Sequence, residues 1–333
     1  MQSGAMTPER AILFLQLGGP ENLKEVPRFL YRLFSDPDVI RVRPGILRKA
    51  IAASIALGRR RASRELYRRI GGGSPIRRLT EEQARGVEAL LGARGRAAAV
   101  RAAMNCSAPM VEDVVAELGS RGVRRLLAFP LYPQYSLTTT KGALDRARAA
   151  ARRFAPAARF FEVGSWPTHP LFAKAHADAI ARAIAGFPDP RPEAVHVLYS
   201  AHSIPKKLVT REGDPYPREV EASVQAIQAL LGNRPPHSLA YQSKLGPVEW
   251  LGPATLDRIG ELGRAGERQV LAVPIAFVTD HVETLYEIDQ LFGEEARRVG
   301  IPHFRRTPGL NSDPTFLAAL EDLVLSQADF WSD

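Results

Sequence analysis

The stretch Ala194-Val195-His196-Val197-Leu198-Tyr199-Ser200-Ala201-His202-Ser203-Ile204-Pro205 decides how this chain folds. Its apolar half, residues 194–199, is short, mixes β-branched and aromatic side chains, and stops at a polar turn where Pro205 is expected to delay any helix. A run of that kind is a strand buried on both faces, as in a parallel sheet covered by helices. The pattern recurs, giving expected strands over residues 11–17, 97–104, 123–129 and 158–163 before it and 238–241, 269–273 and 303–306 after it. Helix-period segments separate them, for example residues 80–91, opened by the capping box Thr80-Glu81-Glu82-Gln83, and residues 216–231. Two sets of four strands, split near residues 164–170, predict an α/β protein of two similar Rossmann-like halves. Each half is a doubly wound, four-stranded parallel sheet, and the active-site cleft is expected between them. The expected domains are residues 7–165 and 166–310, followed by a C-terminal helix over 311–333.

The length of 333 residues agrees with about two domains. With 45% hydrophobic and 24% charged residues, disorder, collagen and disulfide scaffolds are excluded. The net charge of +9 is local, because residues 41–101 alone carry a balance of +12. A uniformly basic nucleic-acid coat is therefore not expected. Cys106 is the single cysteine, so neither a disulfide nor a four-cysteine metal or iron–sulfur site can be built within this chain. No apolar run approaches the roughly 20 residues that span a bilayer, and residues 1–10 lack the apolar core of a signal peptide. A cytoplasmic protein is expected.

In doubly wound sheets ligands sit beyond the carboxyl ends of the strands. The segments just past the expected strands carry the unusual residues: Gly18-Gly19-Pro20, then Tyr132-Pro133-Gln134-Tyr135-Ser136, Ser200-Ala201-His202-Ser203, Gln242-Ser243-Lys244, and Pro274 through Glu283. His202 can accept and release protons near neutral pH, although a turn histidine bonding local backbone is an equal reading. Asp280, Glu283 and Glu287, at i, i+3 and i+7, share one face of an ideal helix. Asp280 and Glu283 also have capping-box spacing, which leaves Glu287 unexplained. His281 and Glu283 would point about 200° apart on an ideal α-helix. If both face one site, the helix start must be irregular, for instance a π-bulge.

Several chemistries lack their signatures. A zinc hydrolase on His202, His281 and Glu283 would lack the HExxH helix, and neither a GxSxG nucleophile elbow nor a GK[ST] phosphate loop after Gly71-Gly72-Gly73-Ser74 is present. The arginines before that loop, Arg59, Arg60, Arg61, Arg64, Arg68 and Arg69, suit a carboxylate or phosphate cradle, and some will coat a helix. Ile46, Leu47, Ile51, Ile55 and Leu57 lie among basic residues from Arg41 to Arg61, an apolar lip with a basic rim suited to an anionic membrane or a flat acidic ligand.

Taken in order, Leu17-Gly18-Gly19-Pro20, Phe29-Leu30 with Leu33-Phe34, Ile70 to Ile76, Tyr132 to Ser136, Ser200-Ala201-His202-Ser203, Tyr241 to Lys244 with Gly246-Pro247, Trp250 to Pro253 and Asp280 to Tyr286 resemble the ferrochelatases from about residue 11 to 310. The resemblance implies insertion of Fe²⁺ into protoporphyrin IX or coproporphyrin III, making haem. It implies catalytic and metal-binding roles for His202 and Glu283, and a proton or metal relay of Asp280, His281 and Glu287. Porphyrin contacts are implied at Leu17, Arg59, Arg60, Tyr67, Ser74, Tyr132, Trp250 and Phe277. Asn105-Cys106 stands where the family commonly has Arg-Tyr, removing one cation and one aromatic ring. The expected partners are porphyrin and Fe²⁺, with peripheral contact to an anionic membrane, no nucleic acid and a monomeric state. No prosthetic group is expected, and the [2Fe–2S] cluster of some members would need four cysteines. The alternatives are a non-catalytic tetrapyrrole or haem binder of the same fold, or a chelatase for another metal.

Overall fold

The computed structural model describes residues 9–40, 42–244 and 248–332. Arg41, Gly246 and Pro247, used in the sequence reading, lie outside the described residues. The chain divides into two units, one comprising Met1–Tyr132, Leu137–Ser165 and Leu317–Asp333, the other Pro133–Ser136 and Trp166–Phe316.

The first unit runs β1 (Arg10–Gln16), α1 (Val26–Ser35), α2 (Gly45–Arg69), α3 (Ile76–Ala93), β2 (Ala99–Met104), α4 (Val111–Ser120), β3 (Arg125–Pro130), α5 (Thr140–Phe154) and β4 (Arg159–Glu162). Its strands form one sheet in the order β2-β1-β3-β4, every pair parallel. Ala11 to Leu15 of β1 are 0% exposed, which accounts for the unbroken apolar run: a central strand covered on both faces has no polar side. Leu13, Leu15, Val115, Leu118, Leu126 and Ala147 share one buried cluster on a face of this sheet.

The second unit repeats the arrangement with α6 (Pro170–Ile184), β5 (His196–His202), α7 (Lys206–Glu212), α8 (Tyr216–Leu230), β6 (His237–Gln242), α9 (Thr255–Arg264), β7 (Gln269–Pro274), a π-helix (Glu283–Phe292), α10 (Gly293–Arg298) and β8 (His303–Arg306). The strand order is β6-β5-β7-β8, again all parallel. The C-terminal segment holds two helices, α11 (Pro314–Leu325) and α12 (Ala328–Trp331). Phe330 meets Phe161 edge-on at 5.7 Å, and Arg10 donates to the Phe330 carbonyl at 3.2 Å, anchoring α12 within the first unit.

Two local expectations need correction. Thr80 does not cap a helix, because α3 begins four residues earlier and the Thr80 hydroxyl donates to the Ile76 carbonyl at 2.7 Å. Proline costs nothing at a helix start, where its missing N–H has no partner anyway, so Pro75 sets the boundary that capping spacing assigns to the threonine. For the same reason Pro205 does not delay a helix but is the N-cap residue of α7, which starts at Lys206.

In each sheet the strand order reverses direction between the first and third strands in sequence. Diverging helices leave a crevice at that point, beyond the carboxyl ends. In the first unit these ends lead into Leu17 and Leu131-Tyr132, in the second into Ser203 and Ile275.

Candidate active site

The carboxyl end of β1 is built by close backbone approach. Gly18 adopts φ +84°, and a Cβ on Gly19 would lie 2.7 Å from the Ser74 hydroxyl, so the β1 exit and the glycine loop fit only without side chains there. The Ser74 N–H donates to the Pro20 carbonyl at 2.7 Å, which buries Ser74. Tyr67, at the end of α2, is buried with its ring edge-on to Phe29 at 6.5 Å. Leu17 and Tyr132 are half-buried, and burial pushes the Tyr132 phenol, bonded to the Leu17 backbone, well above its ordinary value. Arg59 is exposed on α2 and Arg60 half-buried.

The Asn105-Cys106 departure is absorbed structurally. The N–H groups of both residues donate to the carbonyls of Gln16 and Leu17 at 2.9 Å, and Arg146 binds the Asn105 carbonyl. The Cys106 thiol is buried, and desolvation pushes it up to about 12, so it stays a neutral apolar filler.

In the second unit His202 is the last residue of β5. Its Nδ1–H donates to the Ser203 carbonyl at 2.5 Å, which makes Nε2 the basic nitrogen. Nε2 lies 3.6 Å from Glu283 Oε1. His281 repeats the device: Nδ1–H donates to the Thr279 carbonyl at 3.0 Å, and Nε2 lies 3.5 Å from Glu283 Oε2. One carboxylate thus spans two imidazole rings, each turned so that Nδ1–H meets a backbone carbonyl and Nε2 faces Glu283. Phe277, half-buried, sets its ring 6.3 Å from that of His202 and 4.8 Å from that of His281. Trp250 bridges antiparallel to Pro205, just beyond His202.

The irregular helix start expected from His281 and Glu283 is present. The helix carrying Glu283 is a ten-residue π-helix, and His281 precedes it, so the 200° separation of an α-helix does not apply. Glu283 does not close a capping box either. The Asp280 N–H instead donates to Asn311 Oδ1 at 2.9 Å, while the Glu283 carboxylate faces the histidines.

Burial alone would depress the His202 pKa, but the adjacent Glu283 carboxylate and the Ser203 carbonyl outweigh it and raise the ring to about 9. Glu283 moves the opposite way: burial would raise it, yet His202 and His281 hold it far below the usual carboxylate range. Glu287 is raised by burial and by Glu283. Two carboxyl groups one turn apart therefore take different roles, one an anion and the other a group that holds a proton more readily.

Glu287 is held by partners that sequence reasoning did not assign. Its Oε2 accepts from Gln242 Nε2 at 3.0 Å and from the Ser243 hydroxyl at 2.6 Å. Gln242 also donates to the Glu283 carbonyl at 3.1 Å, and its own oxygen accepts from Ser200 at 2.7 Å. Ser243 has φ +66°, a left-handed backbone uncommon for a non-glycine residue and often found at functional sites. In the sheet Gln242 lies opposite His202 across β5 and β6, a register that the local sequence does not reveal.

Asp280 sits among donors just ahead of the π-helix. Its carboxylate accepts from Arg306 at 2.8 Å, Thr284 at 2.8 Å, Asn311 at 2.8 Å and the Gly309 N–H at 3.2 Å. With four donors around it, Asp280 serves as a clamp at the helix start. The i, i+3, i+7 stack presumed an α-helix that would already have begun at Asp280.

A protein-family profile described as Ferrochelatase matches residues 9–328. A curated ferrochelatase from a Synechococcus strain is 47% identical over 316 residues, 94% of this chain and 91% of that protein. The ferrochelatase of Gloeobacter violaceus is 39% identical over 327 residues, 97% and 99% of the two chains. Among solved structures, SirB from Bacillus subtilis with Fe³⁺ superimposes with a TM-score of 0.54 at 15% identity, covering 77% of this chain and 94% of that one, a likeness of fold alone.

Proposed function

Since the chain belongs to the ferrochelatase family, an assignment resting on a match to nearly its whole length, we propose how its residues carry out the family's reaction. The reaction inserts Fe²⁺ into a porphyrin with release of two protons, as a lyase of haem biosynthesis. A free-base porphyrin presents two N–H groups inside a planar ring, so the ring must buckle and both protons must leave. The protein has to hold the ring distorted and supply a base on one face, using binding energy from the rest of the macrocycle.

The carrying observation is the Glu283 carboxylate at 3.6 Å from His202 Nε2 and 3.5 Å from His281 Nε2. His202 is the base that takes pyrrole protons, and Glu283 is its counter-charge and a ligand to arriving iron. With a pKa of about 9, His202 rests as an imidazolium beside the Glu283 carboxylate at neutral pH. A divalent cation near Nε2 favours the neutral ring and so frees the base as the metal arrives. Glu287, with its raised carboxyl group, receives the proton that the imidazolium releases and then each pyrrole proton that His202 takes, and passes them in turn to solvent.

Tyr67, Ser74, Arg59 and Arg60 receive porphyrin carboxylates, and Leu17, Tyr132, Trp250 and Phe277 meet the ring. The substrate is protoporphyrin IX or coproporphyrin III, which differ in the number of carboxylates. No prosthetic group takes part, and the protein acts as a monomer in the cytoplasm. Among the described residues no helix is long and apolar enough to cross a membrane. Ile46, Leu47 and Leu57 are nonetheless 83%, 48% and 60% exposed on α2 among arginines, which supports peripheral contact of this helix with an anionic bilayer.

The test is anaerobic mixing of protein, Fe²⁺ and each porphyrin, with the visible spectrum recorded over time. His202→Ala should still bind porphyrin and lose about 10²- to 10⁴-fold in insertion rate. Glu287→Gln should lose less. Insertion by His202→Ala at near wild-type rate removes His202 as the base.

A further inference from the structure

Arg306 ends β8 and has a side chain only 8% exposed. Its guanidinium reaches in two directions. Nε and Nη2 bind Asp289 inside the π-helix, at 2.8 and 3.0 Å, and Nη1 binds Asp280, ahead of that helix, at 2.8 Å. Nη1 also donates to the Thr307 carbonyl at 3.0 Å, so most of its donors are committed. Burying a guanidinium is costly unless it is paired and hydrogen-bonded, and here two carboxylates meet that requirement.

The helical geometry gives this bridge its meaning. On an unbroken α-helix starting at Asp280, residues 280 and 289 would lie about 180° apart, on opposite faces. One planar cation could not hold both. The same unbroken helix would turn His281 about 200° from Glu283. Both contacts exist because the chain is wound as a π-helix from Glu283 and starts irregularly before it. π-helices are rare, well under 1% of residues, and persist where their surroundings over-determine them. Asn311 and Thr284 complete the fixture at Asp280, at 2.8 Å each.

We propose that Arg306 is a positioning residue for metal insertion: by tying Asp280 to Asp289 it fixes the π-winding that sets Glu283 between His202 and His281. It touches neither substrate nor the reacting nitrogens. Lysine keeps the charge but has no fork, so it cannot hold both oxygens of Asp289 while reaching Asp280. The inference rests on the reading of His202, Glu283 and His281 as the reaction centre.

The experiment measures kcat, porphyrin KM and the pH profile of kcat for the wild-type protein and for Arg306→Lys, Asp289→Asn, Glu283→Gln and Arg298→Ala. Arg298, itself exposed, pairs with Glu295 within α10 and controls for loss of an ion pair nearby. Arg306→Lys should lower kcat about 10- to 100-fold, as expected for an outer support of a metal site. Porphyrin KM should stay close to wild type, and the low-pH limb of the profile should move. Asp289→Asn should do the same to a smaller extent, and it decides the matter if Arg306→Lys does not fold. Arg298→Ala should behave as wild type. Wild-type kcat and pH profile in a folded Arg306→Lys or Asp289→Asn, even with a lowered melting temperature, would overturn the proposal, as would a change confined to KM. Full activity in Glu283→Gln would instead sink the reaction-centre reading on which it stands.

Discussion

Replacing Glu283 with glutamine removes the charge that holds His202 in its imidazolium form while keeping the shape of the side chain. In the wild-type protein burial pulls the ring down and Glu283, 3.6 Å away, pushes it up, giving a pKa of about 9 from an ordinary 6.5. That displacement corresponds to about 3 kcal/mol of preference for the charged ring. Water reaches a side chain that is 33% exposed, so roughly half of that is a safer figure for the pair's contribution to stability. Without Glu283, burial dominates and the Ser203 carbonyl and Glu287 compensate only in part, so the midpoint should return to 6.5 or below. At pH 7 the neutral fraction of His202 then rises from about 1% to about three quarters or more. The effect on stability has a definite sign. His202 is raised on folding, so its contribution is complete below pH 6.5 and is lost as pH rises through about 9. Glu283 is depressed, so its contribution is present above 4.5 and fades as pH falls toward its lowered value. Both contributions should vanish in Glu283→Gln. Histidine ¹H–¹³C correlation spectra recorded from pH 5 to 10 give the midpoint directly, with His202→Ala assigning the signal among seven histidines. A His202 midpoint that stays near 9 in Glu283→Gln refutes the electrostatic account.

Replacing Arg59 and Arg60 together with alanine should raise porphyrin KM more than it lowers kcat, because carboxylate binding is largely the same in ground and transition states. Steady-state insertion assays with each porphyrin read this out, and an unchanged KM excludes both residues from the cradle. Serine at Ile46, Leu47 and Leu57 should weaken co-sedimentation with anionic lipid vesicles while leaving insertion into a water-soluble porphyrin unchanged. Equal sedimentation of the variant and the parent would detach α2 from the membrane.

The central strands β1, β3, β5 and β7 were legible because buried parallel strands are apolar nearly throughout, and that property is local, whereas the edge strands β4 and β8 are short and partly exposed. β1 and β5 show it most plainly, with residues 11–15 and 197–201 almost wholly buried. Their ends were legible for a related reason: Leu17 and His202 lie where β1 and β5 leave the sheet, and ligands collect there in any doubly wound fold. Helix starts were less legible at Thr80 and Pro205. Capping spacing and proline both carry a signal that a neighbouring residue can overrule.

What remained hidden is non-local. Gln242 reaches Glu287 across 45 residues and Arg306 reaches Asp280 across 26, and neither pairing leaves any trace in the sequence around either partner. These contacts arise from the strand order, which sets β6 beside β5 and β8 beside β7, with the chain crossing back over β5 between β6 and β7. The clash between His281 and Glu283 was nonetheless visible beforehand, since two residues that must face one site cannot do so on an α-helix. That local contradiction pointed to unusual winding, but not to the groups that hold it. Asp280 illustrates the cost of lacking them. Read on an ideal helix it joins the acids of the site, and the pattern gives no sign that Arg306, Asn311 and Thr284 each donate to its carboxylate at 2.8 Å.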